Sequence, residues 1–136
     1  MEQREQLLNE SFCNIYYSDS VIYAEWKGFL KLDQVKKGCL MMTKEIKNNN
    51  TKMHLSDHRE LRVLSKEVQD YLTQEWFPQV EAAGLKKVAA LVSDDVFAKA
   101  TVDKVNTTAK VGNLTIKTFN AKKDCLDWFD KIGEGV

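Results

Sequence analysis

The sequence predicts an α/β domain: a single-layer mixed, mainly parallel five-stranded sheet with an N-terminal antiparallel hairpin, and helices packed on it. Three observations carry this expectation. The segment "SFCNIYYSDSVIYAEWKG" is rich in aromatic and β-branched residues and is broken by Ser18-Asp19-Ser20, the pattern of a hairpin with a short polar turn. Val88 to Val92 form an unbroken apolar run, as in a strand covered on both faces within a parallel sheet. After the hairpin, strand and helix signals alternate, which favours parallel strands joined by right-handed crossovers.

The elements follow in order. "MEQREQLLNE" is too polar for a signal peptide and reads as a tail or short helical lead-in, residues 1–10. In "LDQVKKGCLMMTKEIKNNN", Val35, Cys39, Met42 and Ile46 recur every three to four residues, the stripe of an amphipathic helix. Asp33 is its expected N-cap and the asparagines its stop. Gly38 inside it costs about 1 kcal/mol against alanine, so it is expected to permit close backbone packing. "KMHLSD" is a short strand ending near Asp57, and "HRELRVLS" a loop. Ser65 caps a long helix with the stripe Val68, Leu72, Trp76, Val80 and Ala83. Pro78 removes one backbone donor, so a bend is expected near Gln74 to Pro78, and Gly84 is the stop. The strand "KKVAALVSDD" comes next, then one or two short helices in "DDVFAKATVDKVNTTAK". "NLTIKTF" alternates like a half-exposed edge strand, and Asn120 caps a last helix with Cys125, Leu126, Phe129 and Ile132 on its apolar face.

Composition narrows the function. A chain of 136 residues fits one domain. Twenty basic and twenty acidic residues cancel, so no global field draws the protein to nucleic acid, and no nucleic-acid partner is expected. No apolar run approaches the ~20 residues of a membrane span, so no transmembrane segment is expected. Cys13, Cys39 and Cys125 are widely spaced among apolar neighbours, which suits buried reduced thiols in a cytoplasmic protein. Tyr16, Tyr17, Tyr23 and Trp26 alternate along the hairpin, so some face away from the core. They form an edge surface or a contact with another subunit, which leaves a homodimer open.

The middle of the chain resembles a known family. "EWFP" (Glu75 to Pro78), "AAGLKKVA" (Ala82 to Ala89), "VSDDVFAK" (Val92 to Lys99) and the closing "FNAKKDCLDWF" occur in the order found in SpoIIAA-like proteins, small STAS-type domains related to anti-sigma-factor antagonists. The likeness spans roughly Tyr16 to Phe129. It implies an alternating α/β sheet in a domain that binds a protein partner or a small ligand and does not catalyse. An aspartate ending the strand before the long helix, here Asp57, fits the family too. The antagonists are switched by phosphorylating a serine in an Asp-Ser-Ser/Thr-Gly type motif. "SDHRELRVLS" has no Asp-Ser pair followed by glycine, so the switch does not carry over to Ser56 or Ser65.

"HLSDHREL" concentrates two histidines and two acids. In open α/β sheets ligands sit beyond the carboxyl ends of the strands. That rule singles out Asp57, His58 and Arg59 after one strand, and Ser93, Asp94 and Asp95 after the next, as candidate ligand- or partner-binding residues. The same residues also serve as helix caps and loop anchors. His54 and His58 would suit a metal only on one helix face, and a strand running into a loop turns the rings apart. No metal or cofactor is therefore expected. There is no GxGxxG, GxxxxGK[ST], GxSxG or HExxH motif. The leading expectation is a non-enzymatic STAS-like interaction or ligand-binding module. Two alternatives stand beside it. One is a carrier of an apolar ligand or lipid, with Met41, Met42, Trp76 and Phe97 lining a pocket under the bent helix. The other is a small metal-dependent hydrolase built on Asp57, His58, Asp94 and Asp95.

Overall fold

The computed structural model describes residues 4–63, 65–94 and 108–134. Strand β1 (Arg4–Glu10) pairs antiparallel with β2 (Cys13–Ser18), which pairs antiparallel with β3 (Val21–Phe29). Asp19 and Ser20 in the hairpin turn both take positive φ, 49° and 69°, the conformation that matches the twist of two paired strands. Helix α1 (Leu32–Asn49) leads to β4 (Met53–Val63). The next helical region has three parts: α2 (Lys66–Tyr71), a π-helical turn (Leu72–Trp76) and α3 (Phe77–Ala82). Strands β5 (Lys87–Leu91), β6 (Thr108–Val111) and β7 (Leu114–Phe119) and helix α4 (Lys122–Glu134) complete the chain.

The sheet order is β1-β2-β3-β4-β5-β7-β6. Strands β3, β4, β5 and β7 run parallel, and antiparallel partners flank them on both sides. This is the expected mixed α/β architecture, with seven strands where five were expected. The first extra strand is β1, read from sequence as a tail. Its polar residues obscured two consecutive leucines. A bulge between Gln6 and Leu8 lets both Leu7 and Leu8 pack toward the same core. The second is β6, which takes the edge and leaves β7 in the interior, contrary to its reading as an edge strand. The rest of the stretch read as short helices, residues 95–107, lies outside the described residues.

Strand β4 also differs. It does not end near Asp57 but runs to Val63, and "HRELRV" is strand, not loop. Its pairing with β5 stops at Asp57 opposite Leu91, while its pairing with β3 continues to Val63 opposite Phe29. Only one neighbour supports the extension, so its residues remain polar and lack the signature of a buried strand.

Helices cover both faces. On one, α1 and the α2–α3 region pack against Ile15, Ile22, Trp26 and Val88; on the other, Cys125 and Phe129 of α4 pack against Tyr23, Leu55 and Leu91. Gly38 is closely approached by side chains, not by backbone as expected. A Cβ there would lie 2.8 Å from Cη2 of Trp26. Helix α1 starts two residues earlier than expected: Lys31 is the N-cap, and Asp33 lies in the first turn, accepting from the Gln34 N–H (3.1 Å). It stops as expected, with Asn50 left-handed and its N–H donating to the Ile46 carbonyl. Ser65 accepts from the Val68 N–H (3.2 Å), as a cap should, and Gly84 ends α3 at φ 107°. Asn120 does not cap α4. Its side-chain amide donates to Asp94 Oδ1 (3.0 Å).

Candidate functional site

The site grows out of the break in the second helical region. Pro78 cannot donate to the carbonyl four residues back, and its ring would crowd that carbonyl in a regular helix. The chain answers with the π turn, in which the Phe77 N–H reaches back five residues to Leu72. This wider turn holds Trp76 over the sheet. The Trp76 indole N–H donates to Thr43 Oγ1 (3.0 Å) and the Cys39 carbonyl (3.2 Å), both on α1, which fixes the ring.

Beneath this turn lies a cavity of about 220 Å³. Helix α1 contributes Val35, Cys39 and Met42 to its wall; the α2–α3 region contributes Val68, Leu72, Trp76 and Phe77; the sheet contributes Trp26, Val88, Ala90 and Ile116. The described wall contains no lysine, arginine, aspartate or glutamate. Gln69 and Thr73 are wall residues that are themselves exposed, so the cavity reaches the surface beside α2. Of the residues expected to line an apolar pocket, Met42 and Trp76 do so, Met41 does not, and Phe97 lies outside the described residues.

The polar part of the wall comes from one strand. His54, Ser56 and His58 of β4 alternate with Leu55 and Asp57, so all three face the cavity. Continuation of β4 past Asp57 thus brings the two histidines to one side, where the sequence reading turned them apart. The missed signal was period two itself, H-x-S-x-H. His54 is 1% exposed. Its Nδ1 bonds the Ile22 carbonyl (2.8 Å), so Nδ1 carries the proton. Burial pushes its imidazole down to about 4, against the upward pull of that hydrogen bond. The ring also meets Trp76 edge to face at 5.6 Å. His58 is half-buried, and Nε2 lies 2.7 Å from Ser56 Oγ. Burial lowers it too, against the opposing influence of Asp57.

The other expected site residues stand elsewhere. Asp57 faces the α4 side of the sheet. It accepts from the Arg59 backbone N–H (3.1 Å) and from the guanidinium Nε–H (3.0 Å) and Nη2–H (2.8 Å), bonds that hold Arg59 above its ordinary value. Asp94 accepts from Asn120, and half-buried Ser93 precedes it at the end of β5. Asp95 lies outside the described residues. Strands β4 and β5 are neighbours and Asp57 pairs with Leu91 at the end of β5, but Asp57 and His58 lie in the middle of β4 and diverge to opposite faces. Among the described residues, no three His, Cys, Asp or Glu side chains are grouped to hold a metal ion.

Burial raises all three thiols, Cys13 and Cys125 to about 12 and Cys39 further, and all three are free. No described helix is long and apolar enough to cross a membrane.

No family model matches the chain, and no curated protein matches it either. Among solved structures it is similar to an uncharacterised protein of the DUF3478 family, with a SpoIIAA-like fold, from Shewanella loihica. Identity is 16% and the TM-score 0.51, over 93% of this chain and 92% of that one. The likeness agrees with the one seen in "EWFP", "AAGLKKVA" and "VSDDVFAK". The chain has a SpoIIAA-like fold.

Proposed function

We propose that this protein is a non-enzymatic small-ligand-binding domain whose site is the cavity between the sheet, α1 and the π turn, and that its ligand is mainly apolar. One observation carries the reading: a surface-connected cavity of about 220 Å³ with an apolar wall. Protein interiors normally pack without such voids. An apolar cavity of ~150 Å³ already admits benzene. The three buried free thiols support a cytoplasmic address.

Native mass spectrometry of the gently purified full chain tests this, together with titration of tryptophan fluorescence by naphthalene. The expected result is a co-purified apolar mass or saturable quenching, abolished by Ala90→Leu, which fills the cavity. A clean apo mass with no saturable quenching rejects the reading.

A second reading is a protein partner at the carboxyl end of β5, contacting Asp57, Arg59, Ser93, Asp94 and Asp95. The half-exposed Arg59 guanidinium, held in place by Asp57, favours it. A pull-down that survives Asp57→Ala in a folded protein would reject it.

A further inference from the structure

The cavity has a polar atom with nothing to bind. His54 Nδ1 is engaged outside the cavity by the Ile22 carbonyl, which leaves Nε2 as a bare acceptor. Among the described residues Nε2 has no hydrogen-bond partner. Yet no fully occluded side-chain polar atom among the described residues lacks a partner. Nε2 therefore reaches open space, and the open space beside this 1%-exposed ring is the cavity. The Trp76 ring packs edge to face on His54, but its indole N–H already donates to Thr43 and Cys39.

Three features of the wall define what would complete it. The absence of charged wall residues penalises a charged ligand, which would lose its hydration without compensation. Trp26, Trp76 and Phe77 offer ring faces and edges to a flat ligand. Volume sets the size: scaled from benzene in ~150 Å³, about 220 Å³ takes about nine non-hydrogen atoms. We propose that the cavity binds a neutral, two-ring aromatic molecule of indole size, carrying one hydrogen-bond donor that bonds His54 Nε2. Ser56 and His58, next along the same face of β4, give a polar second contact for a substituent on the ring. This inference rests on the cavity reading above and adds its selectivity.

Calorimetric titration of the full chain with three compounds of that size decides it: indole, its hydrocarbon isostere indene, and anionic benzoate. Indole is expected to bind about tenfold more tightly than indene, the value of one hydrogen bond of ~1.4 kcal/mol, and benzoate not to bind. His54→Asn keeps a donor to Ile22 but has no acceptor at the Nε2 position, its amide oxygen lying closer to the strand, so in that variant the advantage of indole over indene shrinks. Indene equal to indole on the wild-type chain overturns the donor assignment and leaves the apolar-ligand reading intact. Tight benzoate binding overturns the neutral class. Binding of none of the three overturns both. If His54→Asn does not fold, the wild-type comparison still decides.

Discussion

Acid should weaken this fold before its carboxylates titrate, and His54 sets how much. In the folded protein its imidazole is neutral, with a pKa lowered to about 4 from an ordinary 6.5. The unfolded chain therefore binds a proton between those values that the folded chain refuses. Stability is fully present above pH 6.5 and is lost as pH falls toward 4. Over about 2.5 pH units at ~1.4 kcal/mol each, the loss approaches about 3 kcal/mol, a large share of a typical 5–15 kcal/mol. His58 adds to the loss in the same direction. Urea unfolding followed by tryptophan fluorescence at pH 7.5, 6.5, 5.5 and 4.5 measures it directly. His54→Asn should flatten the slope while keeping the bond to Ile22. A wild-type stability that is constant from pH 7.5 to 4.5, or a slope unchanged in His54→Asn, refutes the reasoning.

Gly38→Ala gains about 1 kcal/mol of helix propensity but forces a Cβ against Trp26, at a cost of ~1–3 kcal/mol. Thermal melting should show a net loss of about 1 kcal/mol, recovered in a Trp26→Phe background. Ser65→Ala should cost about 1 kcal/mol in urea unfolding, since it frees the Val68 N–H; no measurable change would remove the cap assignment. Cys13, Cys39 and Cys125 should resist a thiol-reactive disulfide at pH 8 in the native state and react in urea; rapid native labelling would contradict their burial.

Much of this fold is legible because its signals are local. The hairpin turn, the stripe of α1, the cap at Ser65 and the apolar run of β5 depend on residues near one another in the chain. What was missed depends on distant partners. Leu7 and Leu8 make a strand only because β2 lies beside them. "HRELRV" continues β4 only because β3 does, and β7 is interior only because β6 covers its edge. The site inherited the β4 error. A strand ending at Asp57 points to Asp57, Arg59 and Asp94 and leaves His54 outside the candidate residues. Extending the strand restores the period-two alternation and places His54, Ser56 and His58 together. The apolar pocket itself was partly visible in Met42 and Trp76, because Pro78 announced that the helix above them could not be regular.

The π turn also has a consequence for how this chain tolerates insertions and deletions. Such a turn holds one residue more than the α-helix that would span the same distance. Residues 72–76 are therefore a place inside a helix where losing one residue need not shift the flanks: a deletion at Thr73 would shorten the turn to regular helix, leaving Val68 and Val80 facing the core. Pro78 blocks that repair, because a regular helix has no room for its ring against the carbonyl of the preceding turn. The extra residue and the proline are thus bound together, to be gained or lost as a pair, and only their joint removal would close the roof of the cavity without unfolding its walls.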